Sequence, residues 1–95
     1  MSKRELPADV LVARHFDGEG RLTRMPVKRD RRLLVLAHLV EVVPHEVDLD
    51  EFAVNNLLRR FDSDVASIRR ALVDEGFLTR PAPGVYRRLS APHDH

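Results

Sequence analysis

Residues 33–43, LLVLAHLVEVV, are almost wholly apolar, and no other part of the sequence constrains the fold so strongly. Pro26 lies before this stretch and Pro44 ends it, which together predict a helix over residues 28–43. Its apolar positions form a main stripe and a broad margin, namely Leu33, Leu36, Val40 and Val43, then Leu34, Val35, Leu39 and Val42. Because so little polar surface remains, we expect this helix to be central, buried by its own domain or by a second copy of the chain.

The sequence before this helix predicts one more helix and a short extended segment. In residues 6–16, LPADVLVARHF, four apolar residues fall near one helical face: Leu6, Val10, Ala13 and Phe16. DGEG, residues 17–20, then interrupts the pattern, and residues 21–25, RLTRM, alternate as a short extended segment does.

After Pro44 the pattern changes to a short strand followed by an amphipathic helix. HEVDL, residues 45–49, predicts the strand. Asp48 and Glu51 have the spacing of a capping box, so the helix is predicted over about residues 50–60. We expect it to bury four residues, which are Phe52, Ala53, Leu57 and Phe61.

The next helix is predicted over residues 64–75, after a DSD turn in which Asp62 or Ser63 is the N-cap. Gly76 is placed to stop this helix. Its inward residues are Val65, Ile68 and Leu72.

A two-stranded hairpin closes the predicted series. FLTR, a PAPG turn and VYRRL indicate it over residues 77–89, and SAPHDH, residues 90–95, is expected to be a disordered tail. Helix, short strand, helix, turn, helix and hairpin is the order of a winged helix-turn-helix. We therefore expect an α+β fold of this kind, mostly helical with a small C-terminal wing, in one domain over residues 1–95 with its core at about 10–89.

The composition excludes several classes of protein. The chain has no cysteine, so disulfides and thiolate chemistry are excluded. Residues 1–10, MSKRELPADV, lack the apolar stretch of a signal peptide, and the apolar run of residues 33–43 is too short to span a bilayer. We therefore expect a cytoplasmic protein without a membrane partner.

The net charge of +1 conceals a segregation along the chain. Residues 1–32 carry net +4, residues 33–64 net −5 and residues 65–95 net +2. Such a chain can bind a polyanion with one face, or its oppositely charged parts can neutralise each other within or between chains.

Several strings resemble those of DUF2087, an uncharacterised prokaryotic domain, over about residues 10–89. They are Gly20-Arg21-Leu22 with Pro26 and Lys28, Val54-Asn55 with Leu58 and Arg60, D.A..RR.LVDEG.L.R from Asp64 to Arg80, and G.Y.R from Gly84 to Arg88. The resemblance implies a transcriptional regulator, sometimes fused to other DNA-binding modules, with no established activity. The chain departs from the family pattern at Ala53, where an acidic residue is expected, and at Leu49, where an aromatic is expected, so no role is carried over to either.

The predicted helix 64–75 carries the first candidate DNA contacts. Its outward stripe is Ser63, Ser67, Arg70 and Asp74. Serine can form hydrogen bonds to several base edges, and arginine can form a bidentate pair of hydrogen bonds to guanine. Ser67 and Arg70 are therefore candidate base contacts. Four acids in residues 62–75 argue against this use, unless the aspartates serve as caps. We interpret Arg69 as a structural residue that forms an internal ion pair with a carboxylate. For Arg70, a structural role and a role in contacting DNA bases both stay open.

Two further basic clusters are candidates for phosphate contacts. Arg80, Arg87 and Arg88 lie on the predicted wing, where strand alternation points Arg87 and Arg88 to opposite faces and leaves one of them outward with Arg80. The start of helix 28–43, where the macrodipole disfavours cations, carries Lys28, Arg29, Arg31 and Arg32. These cations require an anion, which could be phosphate or the acidic middle segment of the same or a second chain.

Other chemistry finds little support in the sequence. The candidate metal groups are weak: His38 with Glu41 and His45, and His93 with His95. Pro44 separates the first two histidines from a common helical face. Since no nucleophile setting or glycine-rich phosphate loop is recognisable, we expect no catalysis, no cofactor and no metal.

Two functions therefore remain. The first, which we favour, is a winged-helix transcriptional regulator that binds double-stranded DNA, and the second is a winged-helix interaction module without DNA binding. The helix 28–43 has more apolar positions than one face of so small a domain normally covers. We therefore also expect a two-fold homodimer that uses this helix or residues 6–16.

Overall fold

The computed structural model describes residues 8–89, and within them the chain forms four α-helices and one antiparallel sheet of three strands. The predicted α+β class is thereby confirmed. The elements are α1 (Ala8–Ala13), α2 (Arg29–Leu39), β1 (Leu49–Asp50), α3 (Glu51–Leu58), α4 (Val65–Asp74), β2 (Leu78–Ala82) and β3 (Val85–Arg88). The expected tail, residues 90–95, lies outside the described residues. Among residues 8–89, no helix has the length and apolar character needed to cross a bilayer.

The central position of α2 follows from its apolar sequence. Leu36 is 0% and Val40 4% exposed, so the predicted burial of this helix is confirmed. The helix ends earlier than the predicted residue 43, because a 3₁₀ turn over Val40–Val42 follows it. Proline disfavours the helical conformation in the residue before it, and Val43 is accordingly extended ahead of Pro44.

The start of α3 differs from the predicted one. The carboxylate of Asp50, not that of Asp48, accepts the N–H of Ala53 at 2.8 Å. Asp50 also lies opposite Val85 in the sheet, so the pairing of β1 with β3 fixes where the helix begins. The predicted capping box of Asp48 and Glu51 is therefore wrong.

The buried face of α3 also differs from the predicted one. Phe52, predicted to be buried, is 73% exposed, whereas Val54 and Leu58 are fully buried. Residues four apart share a helical face, and Phe52 lies roughly 200° around the helix from Val54. Phe61 is buried as predicted, and Ala53 and Leu57 are half-buried.

The cap of α4 is Asp64, whose carboxylate accepts the N–H of Ser67 at 3.3 Å. Asp62, one of the two predicted caps, instead accepts the N–H of Asp64 at 2.9 Å and shapes the turn. Since Ser63 is not the cap either, both predicted caps are wrong by one or two residues.

Gly76 ends α4 as predicted. Its φ of 87° is accessible to glycine at little cost, and its N–H donates to the carbonyl of Val73 at 3.1 Å. The N–H of Phe77 reaches back to the carbonyl of Leu72 at 2.9 Å, which completes a Schellman motif. The chain therefore turns directly from α4 into β2.

The hairpin predicted over residues 77–89 is present, and β1 joins it as a third strand in the order β1-β3-β2. Leu49 lies opposite Tyr86, and Thr79 opposite Arg87. The register shifts between Thr79 and Ala82, where Pro81 has no N–H to donate to the ladder. The strand predicted over residues 45–49 is thus shorter and displaced to Leu49–Asp50.

A single apolar core joins the helices to the sheet. Its members come from α2, α3, α4, the turns and both hairpin strands: Val35, Leu36, Leu39, Val40, Val43, Val54, Leu58, Phe61, Val65, Ile68, Leu72, Phe77, Leu78 and Tyr86. Among the described residues, no charged residue is buried as a whole. The charged side chains that form the candidate site therefore lie at the surface of this core.

Candidate functional site

The outward face of α4 is polar and open to solvent. Val65, Ile68 and Leu72 are buried against the core, which leaves the opposite face exposed. That face carries Ser63, Ser67, Arg70 and Asp74, the stripe expected from the sequence. Among the described residues, Arg70 makes no ion pair.

Arg69 turns to the other side of α4 and binds inside the molecule. Its Nη1 donates to the side-chain oxygen of Asn55, and its Nη2 lies 3.7 Å from a carboxylate oxygen of Glu51. The guanidinium also lies over the ring of Tyr86, 5.5 Å from its centroid. With 15% of its side chain exposed, Arg69 links α4 to α3 and to the sheet.

Tyr86 anchors a second arginine as well. The guanidinium carbon of Arg80 lies 5.5 Å from the centroid of the Tyr86 ring, and the Tyr86 hydroxyl donates to Glu51 at 3.3 Å. The Arg80 side chain is thereby held by a cation–π contact rather than by a carboxylate. Its charge remains without an ion pair among the described residues.

A polar cleft of about 390 Å³ lies between α4, the start of α3 and the sheet. We call it the α4–sheet cleft, and its lining residues are Glu51, Arg69, Arg70, Val73, Asp74, Arg80 and Tyr86. The cleft brings Arg70 and Arg80 together from two elements. Tyr86 and Glu51 were not among the predicted site residues, because their roles depend on the pairing of strands and helices distant in the sequence.

The other two wing arginines have carboxylate partners. Arg87 is exposed, and its Nε donates to Asp48 at 2.7 Å. Arg88 is on the opposite face, where its Nη1 donates to the carbonyl of Val43 at 2.9 Å and its Nη2 lies 3.7 Å from Glu41. Only 11% of the Arg88 side chain is exposed, so its contacts are internal.

Of the four cations at the start of α2, two have a carboxylate partner and two have none among the described residues. Arg29 and Arg32 both bind Glu75, at 2.8 and 3.5 Å, just after the end of α4. The hydrogen bond from Arg29 lowers the pKa of the Glu75 carboxyl, and Arg32 adds to this effect. Lys28 and Arg31 make no ion pair within residues 8–89. Glu75, which lies outside the acidic middle segment, thus supplies the anion for Arg29 and Arg32.

An apolar groove of about 480 Å³ runs along α1 and α2. Its lining residues are Val12, Ala13, Phe16, Asp17, Gly20, Leu34, Ala37 and His38. Phe16 pairs with Leu22 in an isolated β-bridge. Of the extended segment predicted over residues 21–25, this bridge is the part that forms β-type pairing. The groove is therefore built by the N-terminal region and one side of the central helix.

The histidines of residues 8–89 have no arrangement typical of a metal site. The ring of His38 packs edge-on against Phe16 and Phe61, with centroids 4.8 and 6.0 Å away. In residues 8–89, no three side chains from histidine, aspartate or glutamate are grouped so that they could hold a metal ion. His93 and His95 lie outside the described residues.

Comparison with known proteins gives a family match. Residues 21–88 match the model of a family described as an uncharacterized protein conserved in bacteria, DUF2087. No curated protein and no solved structure matches the chain. The matched residues include α2, α3, α4 and the whole sheet.

Proposed function

The chain belongs to the DUF2087 family, and from that premise we propose that it is a winged-helix regulator that binds double-stranded DNA through α4 and the sheet. One observation carries the proposal: Arg70 and Arg80 line the same cleft, and neither makes an ion pair with a described residue. Two unneutralised guanidinium groups on adjoining elements suit the phosphates and base edges of a duplex.

The order of elements supports the winged-helix part of the proposal. From α2 onward the chain runs helix, strand, helix, helix, strand, strand, and β1 pairs with the last strand. In a winged helix-turn-helix, α3 and α4 would be the two motif helices, and β2 with β3 the wing. The second motif helix is the one that enters the major groove, so α4 would be the recognition helix.

The proposed contacts follow from which side chains are free. Arg70 and Ser67, both exposed on α4, would contact base edges, and Arg80 would contact a phosphate. Lys28 and Arg31 are the further phosphate candidates at the start of α2. The remaining predicted cations, Arg29, Arg32, Arg87 and Arg88, would first have to leave their carboxylates.

The acidic residues around α4 weigh less against DNA binding than their number suggests. Asp62 and Asp64 accept backbone N–H groups in the turn and at the cap. Glu75 is held between Arg29 and Arg32. Of these four acids, Asp74 alone is exposed on α4 without such a local partner among the described residues. Because Arg29 and Arg32 neutralise Glu75, the region around α4 is less repulsive to phosphate than the sequence count implies.

The test is DNA binding by fluorescence anisotropy, with labelled duplexes cut from random genomic fragments, at low and at high salt. We expect measurable binding at low salt and a marked loss at high salt. The double variant Arg70→Ala/Arg80→Ala should bind more weakly. The matched control, Arg29→Ala/Arg87→Ala, removes two exposed charges that already have partners and should retain most of the affinity. Absence of wild-type binding at low salt would refute the proposal.

A second candidate function is a dimerising interaction module, and the apolar groove along α1 and α2 favours it. Val12, Phe16, Leu34 and Ala37 leave this groove largely apolar and open. Apolar grooves of this kind commonly mark contact sites for other proteins. The occupant we propose is a second copy of the chain, and its test is the mass of the protein in solution.

A further inference from the structure

The chain before α2 runs past the end of α3. The Nη1 of Arg21 donates to the backbone carbonyls of Arg59 and Arg60, at 3.5 and 3.3 Å. The N–H of Leu22 donates to the carbonyl of Phe61 at 2.8 Å. These bonds satisfy carbonyls at the C-cap of α3 and in the turn that follows it, and they fix the segment 21–24 beside the turn before α4.

Three exposed arginines lie on these two adjoining segments. We call Arg24, Arg59 and Arg60 the α3-end arginines. None of them makes an ion pair with a residue of the range 8–89. Arg59 donates to the side-chain oxygen of Asn56 at 2.7 Å, and the guanidinium of Arg60 lies 6.0 Å from the Phe61 ring centroid, so their charges are not neutralised by these contacts.

The carboxylates of the region are directed to backbone groups. Asp17 accepts the N–H groups of Glu19 and Arg21, and these two bonds lower the pKa of its carboxyl. Asp62 and Asp64 accept backbone N–H groups in the turn and at the start of α4. Each carboxylate thus has a structural partner other than the α3-end arginines.

The α3-end arginines lie near the N-terminal end of α4, away from the α4–sheet cleft. A small groove joins the segment 22–25 to this end of the helix, and its polar lining residues are Asp62, Asp64 and Ser67. Arg80 and the sheet lie on the other side of α4, at the cleft that Val73 and Asp74 line. The α3-end arginines and Arg80 therefore lie at different ends and sides of α4.

We infer that the α3-end arginines form a second phosphate-contact surface, which binds the strand of the duplex opposite to the strand that Arg80 contacts. This inference rests on the proposed DNA binding. A helix in the major groove has phosphates on both sides, and cations on one side only would leave the other backbone without a partner. The end of α3 and the segment 21–24 supply the second set, which none of the sequence-based candidates included.

A purely structural role predicts a different pattern of effects. Cations near a helix C-terminus interact favourably with the macrodipole, and Arg21 serves the last carbonyls directly. If Arg59 and Arg60 were needed only in this way, replacing them would lower the melting temperature. It would leave the salt dependence of DNA binding unchanged.

The experiment compares Arg59→Ala/Arg60→Ala with Arg59→Lys/Arg60→Lys in the full chain. The slope of log K against log salt should become shallower by about 1.8 in the alanine variant, about 0.9 for each phosphate that the protein no longer neutralises. The lysine variant keeps both charges and should keep the wild-type slope, although it removes the Arg59–Asn56 hydrogen bond. The single variant Arg24→Ala, which alters no described side-chain bond, should make the slope shallower by about 0.9.

The outcomes separate this inference from the proposed function. If the wild type binds DNA and Arg70→Ala weakens binding, but the alanine variants keep the wild-type slope, the second surface is refuted and the proposed function stands. If the wild type does not bind at low salt, both are refuted. Melting temperatures of all variants show whether each has folded.

Discussion

At the level of single residues, Arg69 and Arg70 are adjacent in sequence and differ in their surroundings. Arg69 binds Asn55, Glu51 and the Tyr86 ring, so Arg69→Ala would leave the Asn55 oxygen without its donor. We expect the free energy of unfolding to fall by about 1–3 kcal/mol. Because Glu51 is half-exposed, its ion pair adds little to this loss. Urea denaturation measures the change, and Arg70→Ala, the control on the exposed face, should stay within about 0.5 kcal/mol of wild type. Equal stabilities for the two variants would contradict the internal role of Arg69.

Arg70 and Arg80 should affect DNA binding in different ways. Arg70 is on the face of α4 proposed to enter the groove, so Arg70→Ala should relax the preference at one or two base pairs. The expected cost at the preferred sequence is about 1–3 kcal/mol, with the salt slope nearly unchanged. Arg80→Ala should instead weaken binding to all sequences alike and make the slope shallower by about 0.9, because a phosphate contact carries no sequence information. Binding to a randomised duplex library at several salt concentrations distinguishes these results. If both variants lost affinity equally for all sequences, Arg70 would contact the phosphate backbone of the DNA, as proposed for Arg80.

The sequence predicts residues that face the core more reliably than the partners of charged side chains. The stripe of α2 and the inward residues of α4 follow from helical spacing alone, and all of the latter are buried. Phe52 was predicted wrongly because α3 has apolar residues on two nearly opposite faces, and helical spacing alone does not select between them. The partners of Arg87 and Arg88 lie 39 and 47 positions away in the sequence, so no local pattern could have indicated them.

At the level of elements, Glu75 ties the end of α4 to the start of α2, and this tie depends on pH. Arg29 and Arg32 lower the pKa of the Glu75 carboxyl below its ordinary value of 4.5. A carboxyl with a lowered pKa in the folded state stabilises the fold above its unfolded pKa and loses this contribution as the pH falls through its folded pKa. We expect wild type to melt above Glu75→Gln at pH 6, and the difference in melting temperature to shrink as the pH falls below 4.5 and through the lowered pKa of Glu75. Thermal melts of both proteins across this range provide the measurement. A constant difference at all pH values would show that the ion pairs do not contribute.

The existence and type of the main elements were predictable, whereas their boundaries were not. Proline and glycine mark the ends of α2 and α4, because they restrict or free the backbone itself. The N-caps were misassigned because aspartates occupy several adjacent positions, Asp48 and Asp50 before α3, Asp62 and Asp64 before α4. The geometry that selects one aspartate from each pair comes from the sheet and from the turn, which a local pattern does not contain.

At the level of the whole molecule, ion pairs within the chain neutralise only part of the charge that is segregated along the sequence. The acidic middle segment pairs with the C-terminal arginines, through Asp48 with Arg87 and Glu41 with Arg88. Glu75 takes two cations from the N-terminal segment. Three other basic residues of that segment, Arg24, Lys28 and Arg31, make no ion pair within the described part of the chain. Internal neutralisation therefore accounts for part of the charge, and binding of a polyanion by the remaining cations stays a prediction.

The apolar groove along α1 and α2 leads to the last prediction, that the chain forms a two-fold dimer. The groove of about 480 Å³ exposes apolar side chains of both helices, and a second copy that offers the same surface would cover it. Light scattering at high micromolar concentration should give the mass of a dimer. Val12→Glu places a charge in the groove and should give a monomer, because an unpaired carboxylate is costly to bury in an apolar interface. Val10→Glu, a change on the same helix outside the groove lining, should leave the dimer intact if the groove is the interface. A monomeric wild type would refute the dimer, and dissociation of both variants would refute its placement in the groove. If the dimer is confirmed, its two copies of α4 are related by the two-fold axis, and the preferred duplex should contain two inverted half-sites.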